Sequence, residues 1–109
     1  MGFRFGDSFD HYATADIAEK WTTLSSATIS SGNGRNGTSS VRVNGGVGGF
    51  VRKTIDAQAT WIQGFAFRTT AIPSAAQPIA FLLDAGTVQV DLRLNSDGTL
   101  SVTRNGTAL

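Results

Sequence analysis

Apolar and polar residues alternate most cleanly toward the C-terminal end of the chain. Val88, Val90, Leu92 and Leu94 are interleaved with Gln89, Asp91, Arg93 and Asn95. After the turn-forming run Asn95-Ser96-Asp97-Gly98, Leu100 and Val102 alternate with Ser101 and Thr103. A period of two puts successive side chains on opposite faces of a strand. This stretch therefore predicts a β-hairpin with one face buried and one wet, and with Gly98 in the left-handed position of the loop. An Asn-Gly pair, Asn105-Gly106, is placed to lead into a further strand.

Shorter segments with the same character precede it. Phe3-Arg4-Phe5 reads as a short strand, Ala27–Ser30 as another, and Ser39–Val43 as a third with Val41 and Val43 turned inward. Phe50–Ile55 and Trp61–Thr70 follow, the latter with Phe65 and Phe67 on one face. Ile79–Leu83 is a dense apolar run that predicts a central strand covered on both sides. The segments from Ser31 to Gly37 and from Asn44 to Gly49 are rich in Gly and Asn and read as loops. Thr14–Trp21 is the single helical candidate: Thr14 can cap it, Asp16 lies in its first turn, and Ile17 and Trp21 share a face. Turn signals recur roughly every ten residues, the spacing of a sandwich or jelly roll.

The 109 residues suit one domain, spanning 1–109, with a modest core. Hydrophobic residues are 40% of the chain and charged residues 16%, too apolar for disorder. Glu19 is the sole glutamate, and Lys20 and Lys53 are the sole lysines, whereas Thr, Ser, Val and Gly abound. That is a strand-and-turn composition. The net charge of +1, with basic residues scattered, argues against a nucleic-acid partner. Cysteine is absent, so disulfides and thiolate metal sites are excluded. The N-terminal residues lack the apolar stretch of a secretory signal, and no run approaches the ~20 residues of a membrane span. The expectation is a chain made in the cytoplasm, without membrane insertion.

Several phrases resemble a known family. Phe5-Gly6-Asp7-Ser8-Phe9-Asp10-His11-Tyr12, followed by Lys20-Trp21, resembles the opening of concanavalin A-like (laminin G-like) jelly rolls in structural proteins of tailed bacteriophages. Gly34-Arg35-Asn36-Gly37-Thr38-Ser39-Ser40-Val41-Arg42-Val43 is similar to the strand that follows in such domains, and Trp61–Arg68 resembles the next broad strand. Val88–Leu100 is similar to their V-x-L-x-L-N-x-D-G-x-L hairpin. The resemblance implies an all-β antiparallel sandwich and a virion protein of the tail tip, fibre or capsid surface. Its partners would be other virion proteins, copies of itself, and a host cell-surface glycan. Such domains are longer, so the resemblance further implies that the part present is N-terminal, continued beyond Leu109 or completed by neighbouring chains. A free carbohydrate-binding module and a fragment of a glycoside hydrolase are the alternative readings.

The candidate chemistry is sparse. His11 is the only histidine, and no G-x-S-x-G elbow accompanies it, so a nucleophilic triad has no support. Glycoside hydrolysis needs two facing carboxylates, and Glu19, Asp84 and Asp91 each stand alone in the pattern. The chain reads as a non-enzyme with no required cofactor. Calcium is the one metal to weigh, because related lectin folds hold it at a loop rim. Asp7, Asp10 and Asp97 are the hard oxygen donors for it, set against simple turn-capping roles. Tyr12, Trp21 and Trp61 are the candidates for stacking on a sugar ring, against the alternative that aromatics fill the core. Gly45–Gly49 joins two predicted strands and lacks the following helix that a phosphate cradle needs. The sequons at Asn36 and Asn105 have no secretory context.

Overall fold

In the computed structural model, which describes residues 3–109, the chain forms three antiparallel sheets and very little helix. It divides into two compact units, Met1–Trp61 and Ile62–Leu109.

In the first unit the helical candidate is real but short. A 3-10 turn, Thr14–Asp16, runs into one α-helical turn, α1 (Ile17–Lys20). Thr14 does not cap it. Ala13 holds the cap position, and its N–H donates to the Asp16 carboxylate at 3.1 Å. The Thr14 hydroxyl instead accepts from the Ile29 N–H at 2.9 Å, which ties the turn to a strand. Ile17 is the largest side chain to be completely buried.

Four short strands form two ribbons. β1 (Thr23–Ser25) pairs with β4 (Phe50–Arg52), and β2 (Ala27–Ser30) pairs with β3 (Ser40–Val43). Ser26, at φ 45°, breaks what would be one long strand into β1 and β2. The matching break on the other side is the loop 44–49. Asn44 closes it, its carbonyl accepting from the Gly49 N–H at 2.8 Å and its side chain from the Gly46 N–H at 3.2 Å. A Cβ on Gly49 would lie 2.6 Å from the Asn44 nitrogen, so glycine is required there by contact. β1 was not legible in the pattern, and β4 stops at Arg52 rather than Ile55. Phe3-Arg4-Phe5 forms no ladder: Phe3 is exposed, and Arg4 pairs with Asp56 at 3.4 Å. Val43, expected inward, is 44% exposed.

The second unit is a four-stranded meander: β5 (Gln77–Asp84), β6 (Thr87–Leu94), β7 (Leu100–Arg104) and β8 (Thr107–Ala108). Three turns with left-handed residues connect it. Ala85-Gly86 and Asn105-Gly106 each have two consecutive positive φ values, the geometry that matches the twist of flanking strands. The β6–β7 loop carries Gly98 at φ 82°, as its sequence predicts. Leu94 is buried on the apolar face of this sheet.

Two expectations are overturned here. Trp61–Thr70 lies outside every strand among the described residues, although its side chains alternate. Alternation readies a segment for a sheet, but the backbone becomes a strand only when a partner supplies hydrogen bonds. β5 is also an edge strand rather than a covered central one; Phe81 and Leu83 are 40% and 38% exposed. Pro78, which cannot donate to a ladder, fits that edge position. Register shifts between Pro78 and Ala80 and between Leu82 and Leu83 further interrupt the strand.

Candidate functional site

The sequence candidates Asp7, Tyr12 and Trp21 meet in one cluster of the first unit. The Asp7 side chain is only 1% exposed. Its Oδ1 accepts from the Phe9 N–H at 3.0 Å and from Lys20 Nζ at 3.2 Å. Its Oδ2 accepts from Trp21 Nε1 at 2.6 Å and from the Tyr12 hydroxyl. Four donors thus converge on one carboxylate, and they come from a loop and from the end of α1. Phe9 itself sits at φ 62°, a strained conformation for an aromatic residue that the surrounding contacts hold in place.

Rings close the cluster. Phe9 stacks on Trp21 with centroids 5.6 Å apart and planes 11° apart, and Phe5 meets Trp21 edge-on at 4.9 Å. Lys53 and Lys20 lie 5.0 and 5.9 Å from the Phe5 ring centroid, and Lys53 Nζ also donates to the Lys20 carbonyl at 2.6 Å. Burial alone would push the Asp7 carboxyl up; the donors from Tyr12, Phe9, Trp21 and Lys20 outweigh it and hold the group below its ordinary value. The Tyr12 phenol moves the other way, raised by its own burial and by the carboxylate that accepts its proton. The arrangement holds charge and orientation. It leaves one indole face under Phe9 and the polar ends of Tyr12 and Trp21 engaged within the protein.

The remaining candidates are not gathered there. Asp10 accepts from the Ser39 N–H at 3.0 Å, fixing the lead-in against the start of β3. Asp97 accepts from both the N–H and the hydroxyl of Thr99, at 2.9 and 2.6 Å, inside the β6–β7 turn, and these bonds lower its pKa. Among the described residues no three His, Asp or Glu side chains converge as a metal site would need. Trp61 is half-buried and outside the Asp7 cluster. His11 lies edge-on to Tyr12, centroids 6.2 Å apart.

The second unit shows something the pattern concealed. Register puts Ala80, Leu92 and Val102 in one row and Leu82 and Val90 in the next, all on one face. With Phe65 they line an open apolar groove of about 180 Å³. Phe65 and Phe67, which the pattern puts on one face, are 48% and 46% exposed, with rings 6.4 Å apart. On the opposite face, where polar residues promised a wet surface, Asp91 and Thr103 are buried. The Thr103 hydroxyl and Arg93 Nε, the latter at 2.6 Å, both donate to Asp91, and the Thr103 bond is the chief cause of its lowered pKa. The alternation was therefore legible, but the depth of burial on each face was not.

Comparison with protein-family models, with curated proteins and with solved structures finds no match to this chain. The class that can be stated is thus structural: a β-rich chain of antiparallel sheets with a meander in its second unit.

Proposed function

We propose that this chain is a non-enzymatic structural module of a tailed-bacteriophage virion, at a tail tip, fibre or capsid surface, built as part of a jelly-roll-like sandwich and working by assembly. The observation that carries the reading is the uncovered apolar surface of the second unit. Among the described residues, Ile17, Ala27 and Leu94 are the buried hydrophobic side chains, while Phe65, Phe67, Ile72, Leu83, Leu100 and Val102 are each more than a third exposed. Exposed apolar side chains gathered in this way on a folded protein mark an interaction surface. The phrases around Asp7, Val41 and Val90 that resemble phage jelly rolls supply the setting, and host-glycan attachment is the second task they suggest.

The test is where the protein ends up. Particles released from the host that carries the gene, purified on a density gradient, should contain this chain at a fixed ratio to the major virion protein by quantitative mass spectrometry. Recovery only in the soluble fraction, with binding on a glycan array that Trp61→Ala abolishes, would replace the proposal with a free carbohydrate-binding module.

A further inference from the structure

We infer that the groove face of the second unit is a self-association surface, at which a second copy of this chain inserts an apolar side chain; the inference rests on the assembly reading above and names its partner. Three observations choose the occupant. The first is chemistry. The groove is walled by Phe65, Leu82, Val90, Leu92 and Val102, with Gln63 the one polar side chain and no charged one among the lining residues. Gln63 alone is too little to satisfy the hydroxyls of a sugar or the charge of a peptide, whereas an aliphatic or aromatic group would be covered there. Arg104, opposite Val90, is the one charged residue that register puts on this face of β5–β7, and it is exposed at the β7 end, where two like charges cost little.

The second is size. A space of about 180 Å³ is that of one large side chain; an apolar cavity of roughly 150 Å³ takes up benzene. The same unit presents such a knob beside its own hole: Phe67, 46% exposed, has its ring 6.4 Å from that of Phe65 in the groove wall. Knob and hole on one face are what a two-fold pairing uses, each copy filling the other. The third is area. Phe65, Phe67, Leu83, Leu100 and Val102 together expose roughly 400 Å² of apolar side chain, taking ~150–200 Å² for each when fully exposed. A stable interface of standard size buries about 800 Å² per partner, a little over half of it apolar, so this face supplies most of the apolar share.

The experiment is sedimentation velocity on the full chain across the micromolar range, with far-UV circular dichroism to confirm the fold of each variant. The wild type should pass from monomer to dimer as concentration rises. Phe67→Asp should weaken association about 100-fold, the scale of a central anchor, while Phe67→Tyr retains it. Ile55→Asp, an exposed apolar site in the first unit, should associate as the wild type does. Should Phe67→Asp lose its β signal, Leu100→Glu takes its place, at a site 52% exposed on the same face. A wild type that stays monomeric at about 100 μM, or a folded Phe67→Asp or Leu100→Glu with wild-type association, overturns the inference. A monomer that is nevertheless incorporated into particles removes the self-pairing and keeps the virion reading. A dimer absent from particles does the reverse.

Discussion

Asp7→Ala should unfold the first unit at a lower urea concentration than the wild type, a loss of about 2–3 kcal/mol. The reason is the number of donors that would be stranded. Removing the carboxylate leaves the Trp21 indole N–H, the Tyr12 hydroxyl, the Phe9 N–H and the Lys20 ammonium without their shared acceptor, around a side chain that is 99% buried. Both tryptophans of the chain, Trp21 and Trp61, belong to this unit, so their fluorescence reports its unfolding selectively. Asp7→Asn, which keeps one acceptor oxygen and removes the charge facing Lys20, should fall between the two. A variant within about 0.5 kcal/mol of the wild type would show that the cluster is ornamental to the fold.

The same carboxylate sets a pH dependence. Asp7 is held below its ordinary value in the folded chain, so folding binds fewer protons here than the unfolded state does. Its contribution is present above the unfolded carboxylate value of about 4 and disappears as pH falls through the lower folded value. Asp91 is shifted in the same direction and adds to acid sensitivity. Tyr12 has the opposite sign: its folded pKa is raised, so its contribution is complete below about pH 10 and declines as pH rises toward the folded value. Urea midpoints should therefore be level through neutrality and drop at both ends, and Asp7→Ala should flatten the acid limb of the tryptophan signal.

Ile17→Ala should cost about 2–4 kcal/mol in the same fluorescence assay, because the side chain is completely buried and its removal leaves a cavity in a unit with little other core. Ile17→Val should cost only about 1 kcal/mol. A loss for Ile17→Ala no larger than that for Ile17→Val would mean that the helical turn collapses freely onto the space. The prediction also probes the order of construction. Ile17 sits in a four-residue helix too short to be stable by itself, so the turn exists because its one apolar side chain is covered.

How much of this was legible can be judged element by element. The β6–β7 hairpin, its Gly98 turn and the strand after Asn105-Gly106 were readable, because alternation and positive-φ turn residues act within a few positions of one another. The helical turn before Trp21 was readable for the same reason, though its cap was not, since Thr14 is drawn away by the Ile29 backbone fifteen residues on. Of the candidate site, the residue types Asp7, Tyr12 and Trp21 stood out singly. Their convergence on one carboxylate did not, because it depends on how the Phe9 bend returns the lead-in toward α1.

The chain's own pattern thus determined that it would be a β-rich protein, where most of its turns fall, and which residues of the last hairpin share a face. The tertiary structure alone decided which segments found partners. Trp61–Thr70 has the alternation of a strand and no ladder, and Ile79–Leu83 has the composition of a central strand and lies at an edge. Side-chain periodicity is a local property of the sequence. A strand's hydrogen bonds and the covering of its face come from residues far along the chain, and here the apolar face of the second unit is left largely without that cover.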